Sequence, residues 1–364
     1  MVIMNRLLFQ IVIAGLLSAH LFADAQWSSL INRLEAEGHS RPRLEALFRN
    51  AEFDPEPVRS KLISSFESKF SATRILKIQE GLQALGYEPG PQDGLKGRKT
   101  SRAIRAFQRD HHLPVNGRAS REVLESVLYA LDPENNPKPQ PDRKPAVYRS
   151  MLQEERLSEA WEFWQENRKA LGQLRKDFGV PEEIAVAILT VETRVGRYLG
   201  EKKAFVSLAS LALASDSNLV QPMFSGYAMT RERQNWLRTR ANRVSNWAYR
   251  ELSALLQYSE QIALDPLEIP GSIYGAIGVS QFMPTNAVRF GVDGNSDGIA
   301  NLFEVEDALS SMGNFLKANG WRAGLSSRSS QARVIYRYNR SRTYVNTVLA
   351  VAEKLIEMEA CGAG

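Results

Sequence analysis

The stretch Gly179-Val-Pro-Glu-Glu-Ile-Ala-Val-Ala-Ile-Leu-Thr-Val-Glu192-Thr-Arg-Val-Gly196 decides how the rest of the chain is read. Gly179 stops one helix, and Pro181 suits the first position of the next, where its missing N–H would have no helical partner anyway. Glu182 and Glu183 in the first turn complement the positive end of the macrodipole. The run Ile184 to Val191 is apolar nearly all round, the pattern of a helix buried on most sides. Glu192 comes directly after it. A carboxyl at the end of a buried helix is partly desolvated, which favours its protonated form and suits it to donate a proton near neutral pH. The opposing reading makes Glu192 one half of a buried ion pair with Arg194 or Arg197.

Working outward, Leu157, Trp161, Trp164, Leu171, Leu174 and Phe178 recur at helical steps and predict one long amphipathic helix ending at Gly179. Residues 26–70 also read as helical, with Leu30, Leu34, Leu44 and Leu47 on one face and Pro55 and Pro57 interrupting between helices. From Ile75 the pattern changes. Ile75, Ile78, Leu82 and Leu85 form a stripe ending at Gly86, Asp93-Gly94 marks a turn, and Thr100 starts a helix carrying Ile104 and Phe107. Leu113-Pro-Val-Asn-Gly117 then echoes the first turn ahead of a third helix, a faint internal repeat that predicts a three-helix unit. Residues 131–146 hold five prolines among Asp, Glu, Asn and Lys, which is linker composition.

Composition bounds the class. With 364 residues, 43% hydrophobic and 24% charged, and a mean hydropathy of -0.31, the chain reads as soluble, multi-domain and globular. Lys and Arg exceed acids by 46 to 41, a net +5, spread among the acids rather than gathered in one stripe. A polyanion of sparser charge suits the balance at least as well as nucleic acid, and charge alone does not choose between them; no nucleic-acid partner is expected from the sequence as a whole. The single cysteine, Cys361, excludes an intrachain disulfide and a multi-cysteine metal cluster. At the N-terminus, Asn5 and Arg6 precede an apolar run from Leu7 to Ala23, followed by Ala23-Asp-Ala25. This is the pattern of a signal peptide, residues 1–25, and the run is short against the roughly 20 residues of a membrane span. The mature chain is expected to be exported to the periplasm with no membrane span, so extracellular polymers are the first substrates to consider.

Several of these segments also carry family resemblances. Gln79, Leu82, Leu85-Gly-Tyr87, Gly90, Asp93-Gly94, Gly97, Thr100, Ala103, Phe107-Gln108, Leu113-Pro114 and Gly117 resemble the peptidoglycan-binding domain family over residues 71–130. Gly179-Val-Pro and Val191-Glu-Thr-Arg-Val-Gly196 resemble the catalytic segment of lytic murein transglycosylases of the membrane-bound B type, glycoside hydrolase family 103. Asp265 to Ser272, Gly275 to Pro284, Asn319-Gly-Trp321 and Tyr338 to Tyr344 are similar to that family in the same order. The resemblance implies a mainly α fold: a lysozyme-like helical catalytic domain formed by residues 26–70 and 147–364. The small three-helix peptidoglycan-binding module, 71–130, and the linker 131–146 are inserted between the two parts. Relative to that family the chain carries extra sequence between Leu213 and Trp247; the resemblance puts Arg243 alone in the place of a substrate-binding arginine pair, and an alternative alignment uses Met223-Phe-Ser-Gly226.

The segment Asp293 to Glu304 places oxygen side chains at loop positions 1, 3, 5, 9 and 12 through Asp293, Asn295, Asp297, Asn301 and Glu304. Gly298 stands at the sharp turn and Ile299 offers its carbonyl at position 7, so an EF-hand-like loop holding a structural Ca2+ is expected.

Most glycosidases need two carboxylates. Here Glu192 is the one convincing candidate, and a sugar that supplies its own nucleophile removes the need for a second. The resemblance implies that route on peptidoglycan glycan strands, with Glu192 as acid and then base, and Ser272, Gln281, Tyr338 and Asn339 as hydrogen-bonding groups around the sugar. Each of these has a structural alternative: Ser272 as a helix cap, Gln281 satisfying buried backbone, Tyr338 as a core aromatic. The rival functions are a muramidase-type hydrolase and a non-catalytic peptidoglycan scaffold. No organic cofactor is expected, and the sequence names no protein partner.

Overall fold

The computed structural model describes residues 26–136, 138 and 146–362; the expected signal peptide and most of the linker's prolines lie outside the described residues. In chain order the helices are α1 (26–36), α2 (Arg41–Arg49), α3 (Pro55–Phe70), α4 (Ala72–Ala84), α5 (Arg98–Asp110) and α6 (Arg121–Leu131). There follow α7 (Glu154–Glu166), α8 (Arg168–Phe178), α9 (Glu182–Thr193), α10 (Ala204–Ala212), α11 (Ser217–Val220) and α12 (Arg231–Gln261). The last four are α13 (Pro284–Phe290), α14 (Val305–Ala318), α15 (Arg328–Tyr338) and α16 (Arg342–Ala360). The fold is mainly α. Its strands among the described residues are two antiparallel pieces, β1 (Lys202–Lys203) and β2 (Pro270–Gly271), with Lys202 opposite Gly271.

The helices gather into two compact units. The first comprises the chain up to Pro57, Pro145–Leu213 and Ser245–Gly364; the second comprises Val58–Lys144 and Ala214–Val244. The units therefore divide differently from the sequence segments, because 58–70 and the extra 214–244 both fall with the 71–130 stretch. Aromatic packing accounts for this. Phe66 meets Phe224, Tyr227 and Trp236 edge-on at 5.0 to 5.9 Å, and the Arg233 guanidinium lies 5.3 Å over the Phe66 ring.

Within the second unit α4, α5 and α6 share a core of Ile78, Leu82, Ile104, Phe107, Val123 and Val127. Two buried glutamines staple its turns. Gln79 accepts from the Gly94 N–H at 2.8 Å and donates to Thr100, while Gln108 accepts from the N–H groups of Asn116 and Gly117. Each glutamine holds a tight turn that follows it in sequence, which gives the faint repeat its physical basis.

In the first unit α9 is the buried axis, with Ile184 to Leu189 at most 2% exposed. Burying each such Ile, Val or Leu contributes about 2 kcal/mol, enough to hold a helix with few polar partners in place. α16 packs along α9, and α15 along α16. The single helix expected over 157–178 is two helices. Asn167, at φ -108° and ψ 23°, turns its side-chain amide back onto the Phe163 carbonyl at 2.9 Å and ends α7 before α8 begins. Hydrophobic spacing continues across the break, so periodicity alone hides it. Glu192 likewise lies within the last turn of α9 rather than after it.

Candidate active site

The end of α9 is held by an unusual turn. Arg194, Val195 and Gly196 all have positive φ, at 52°, 54° and 89°. A β-branched residue rarely adopts that conformation, so the surroundings must impose it. Val195 N–H closes the helix on the Leu189 carbonyl at 3.0 Å. The Thr193 hydroxyl accepts from Gly196 N–H at 2.9 Å and donates to the Val279 carbonyl at 2.8 Å. Nearby, Gly200 at φ 105° lies so close to β2 that a Cβ there would collide with the Gly271 carbonyl, and only glycine fits.

This turn disposes of the ion-pair reading of Glu192. Arg194 reaches Glu159 of α7 at 2.5 Å and Glu155 at 3.3 Å, and Arg197 reaches Glu159 at 3.3 Å and Glu162 at 3.1 Å. Glu159 is only 8% exposed, and the Arg194 hydrogen bond, opposed by burial and assisted by Arg156, holds its carboxyl below the usual range. Both arginines that could have neutralised Glu192 are thus engaged elsewhere, and among the described residues no cation pairs with it.

Glu192 keeps some accessible surface, yet protein surrounds its carboxyl closely. Burial pushes it up to about 7, while the Tyr344 hydroxyl acts in the opposite direction. Tyr338 completes the group. Its hydroxyl donates to the Ser280 carbonyl at 2.5 Å, its ring stands against Phe315 and Phe282, and burial followed by the charge of Glu192 raises its pKa. The Tyr344 hydroxyl and Ser280 Oγ are both buried without a close hydrogen-bond partner. The structure therefore gathers one carboxyl poised to exchange a proton at neutral pH and two phenols that stay protonated.

Tyr344 closes the Tyr338 to Tyr344 motif but has no distinct sequence signature. The break at Asn339 to Ser341 moves it onto a second helix, and Ser341 caps that helix by accepting from Tyr344 N–H at 3.2 Å.

The other expected site residues have the following places. Ser272 caps a turn rather than a helix, its hydroxyl accepting from the N–H groups of Tyr274 and Ala276. Gln281, at φ 48°, donates its side-chain amide to the carbonyls of Leu199 and Gly278, and it follows Ser280, which accepts from Tyr338. Asn339 is exposed at the C-cap of α15. Arg243 is exposed on α12 and belongs to the second unit. A second buried carboxyl, Glu251, accepts from both the backbone and the hydroxyl of Thr285 at 3.0 Å, and burial raises its pKa. It caps the first turn of α13, so its oxygens are already committed.

In the 293–304 loop, Asp293 accepts from the N–H groups of Ser296, Asp297 and Gly298. Gly298 has φ 96° with open space where a Cβ would be, so the backbone conformation alone requires glycine there. Asp297 and Glu304 converge on the Asn295 side-chain amide at 3.2 and 2.6 Å, and Asn301 also donates to Glu304. An all-oxygen donor set of this kind suits a hard divalent cation. By contrast, no group of three or more His, Cys, Asp or Glu among the described residues is disposed to hold a metal by itself. Asp307, fully buried in the first turn of α14, accepts from the backbone of Gly294, Asn295 and Asn301 and fixes the loop. The loop also connects to the turn after α9: Val279 N–H bonds the Leu302 carbonyl at 2.8 Å, and the Val279 carbonyl accepts from Thr193.

A cavity of about 520 Å3 in the second unit, floored by Val220, Phe224 and Leu237, contains none of these groups.

Known proteins share parts of this chain. Membrane-bound lytic murein transglycosylase B of Escherichia coli strain K12 is 35% identical over 162 residues, covering 44% of this chain and 38% of that protein. The match therefore spans well under half of the curated relative's length. Among solved structures, soluble lytic transglycosylase SltB1 from Pseudomonas aeruginosa is 22% identical, covers 72% of this chain and 99% of that one, and has a TM-score of 0.47. The Escherichia coli lytic transglycosylase SLT35 in complex with calcium is 20% identical, covers 73% and 95%, and has a TM-score of 0.47. Residues 92–330, about two thirds of the sequence, match the family described as the transglycosylase SLT domain, and the chain belongs to that family.

Proposed function

We propose that the chain is a lytic transglycosylase acting on peptidoglycan glycan strands. Glu192 protonates the oxygen linking N-acetylmuramic acid to N-acetylglucosamine as that bond breaks, and then accepts the proton of the muramic C6 hydroxyl as its oxygen bonds to the anomeric carbon. The product is a 1,6-anhydro end, and no water is consumed. The observation that carries this reading is a carboxyl pushed up to about 7 that has no ion pair among the described residues; the buried carboxyl of Glu251 is already occupied as a helix cap. A group whose pKa lies near the working pH can give and take a proton with little penalty either way. Two-carboxylate hydrolysis would need a partner that the site does not offer.

Tyr338, Gln281 and Ser272 bind the reacting sugar in this reading, with Asn339 at the rim and Arg243 on the glycan. The 71–130 module binds the same polymer, and the signal peptide delivers the chain to the periplasm. Ca2+ would be held by Asp293, Asn295, Asp297 and Glu304 with the Ile299 carbonyl, Asn301 supporting Glu304. Bound there, the ion supplies charge that rigidifies the loop, while Leu302 and Val279 hold the backbone beside Glu192.

Mass spectrometry of digested sacculi is the test. Anhydro-muropeptides weigh one water less than hydrolysed ones, so hydrated ends would instead identify a muramidase. Glu192→Gln is expected to abolish turnover while the protein still pellets with insoluble peptidoglycan. Undiminished turnover in that variant refutes the assignment, and absence of turnover in the wild type leaves the scaffold.

A further inference from the structure

Averaged over the whole chain the charges look mixed, but one stretch is not. Between Asp307 and Glu353 there is no acidic residue, and there are seven cations, more than the net +5 of the entire chain. This stretch builds the end of α14, all of α15 and the first half of α16. Of its arginines, Arg328 pairs with Glu353, and among the described residues Arg333, Arg337, Arg340 and Arg342 have no carboxylate partner.

Two of the four line a groove between α15 and α16. Ala332 and Val345 lie in its wall with Arg333, Tyr336, Arg342 and Asn346, and its volume is about 580 Å3. Among the described residues, Arg333 bonds only the Ser330 hydroxyl, at 3.3 Å. Arg342 occupies the first turn of α16, which contains no acid, so its charge adds to the positive end of the helix instead of balancing it. Tyr336 is 41% exposed. Like charges gathered on a helix end are unfavourable unless an anion joins them, and paired guanidiniums are the side chains best shaped to grip carboxylates.

The groove lies behind the catalytic group. Tyr338 and Tyr344 face Glu192 from the same two helices, and Tyr336, two residues before Tyr338, projects from the opposite side of α15. A helix with its side chains is about 10 to 12 Å across. The way round the outside of such a helix is about 16 to 19 Å, and a five-residue stem on the muramic acid at Glu192 reaches about 17 Å when extended, so its last residues arrive at the groove.

We infer that the α15–α16 groove is a subsite for the acidic stem peptide of the glycan substrate. Arg333 and Arg342 clamp its carboxylates, and Ala332 and Val345 face its alanine methyl groups. This rests on the reading of the chain as a peptidoglycan transglycosylase, and it makes the uncut side chain of the substrate a determinant of binding.

The probe is N-acetyl-L-alanyl-γ-D-glutamyl-meso-diaminopimelyl-D-alanyl-D-alanine, titrated calorimetrically into the mature full-length protein. Arg333→Gln/Arg342→Gln is expected to weaken binding about tenfold or more, since each lost guanidinium removes charge-assisted hydrogen bonds. Arg337→Gln/Arg340→Gln, which removes the same charge outside the groove, is expected to bind as wild type does. Equal binding by wild type and the groove variant overturns the inference. So does loss of affinity in the control variant equal to that in the groove variant, because attraction is then diffuse. Phosphatidylglycerol vesicles that bind through Arg333 and Arg342, while the peptide does not, assign the groove to lipid and also overturn it.

Turnover separates this inference from the function beneath it. On strands carrying stems, the groove variant is expected to show a raised KM with kcat unchanged, and on amidase-stripped strands to match the wild type. Normal, stem-independent turnover by both proteins refutes the subsite and leaves the transglycosylase intact. Absence of turnover on either strand, with peptide binding still dependent on Arg333 and Arg342, refutes the activity and leaves the peptide site.

Discussion

Replacing Glu192 with Gln tests the burial of the carboxyl without reference to catalysis. In the unfolded chain the group titrates near 4.5, and in the folded protein at about 7, chiefly because burial penalises the charged form. Between those values the folded state holds more protons than the unfolded state, so stability falls as pH rises, and the full penalty is present above about 7. At about 1.4 kcal/mol per pH unit the gap amounts to about 3.5 kcal/mol. Glu192 is nevertheless part-exposed as a residue, and screening by nearby solvent reduces the expectation to about 2 kcal/mol. Glutamine has nearly the same shape and no charge to bury. Glu192→Gln is therefore expected to be more stable than wild type by about 2 kcal/mol near pH 8.5, with the difference vanishing near pH 4.5. Urea denaturation of both proteins across that range measures it directly, because contributions common to the two cancel in the difference. Parallel stability curves, or a variant weaker than wild type at the alkaline end, refute the argument, since either would mean that the carboxylate is well solvated or paired.

Two further outcomes follow from the same site. Tyr344→Phe removes the hydroxyl that opposes the upward push on Glu192, so the alkaline limb of kcat/KM is expected to move to higher pH by roughly half a unit to one unit; an unmoved limb excludes the contact. For the 293–304 loop, Ca2+ at about a hundred times its Kd is expected to add about 2.7 kcal/mol to the EDTA-treated protein, seen as a raised Tm that Asp297→Asn abolishes; identical melting in Ca2+ and EDTA refutes binding.

The parts of the fold that sequence reveals are those whose causes lie within one or two turns. The all-round apolar character of Ile184 to Val191 and the stop at Gly179 are local, and each lies where the spacing puts it. The features that stay hidden depend on distant partners or on single side chains. Asn167 ends α7 by bonding Phe163 while the apolar spacing runs on undisturbed. Asp307 reads as an ordinary first-turn acid until its carboxyl is seen to hold three loop N–H groups. Glu251 is one acid on a long helix until α13, some thirty residues later, presents Thr285 to it. Charge averaging concealed the acid-free stretch in the same way, since a whole-chain balance cannot register where cations cluster.

The unpaired state of Glu192 is the least local property of all, and it explains why the turn after α9 is so constrained. Arg194 follows Glu192 by two residues and Arg197 by five, so a relaxed chain could turn either cation onto the carboxyl and hold it ionised. Left-handed backbone at Arg194 and Val195 costs about 1 to 2 kcal/mol per residue. That conformation directs both guanidiniums toward α7, where Glu159, 8% exposed and also bonded by Arg156, receives them. Glu159 is shared by three guanidiniums through charge-assisted contacts, and this network holds the turn in place. Thr193 adds a second restraint through Gly196 and Val279. The carboxyl is therefore proton-ready because the nearest positive charges are bound to another acid, and the ion pairs at the surface of α7 serve the chemistry at the end of α9 without touching it.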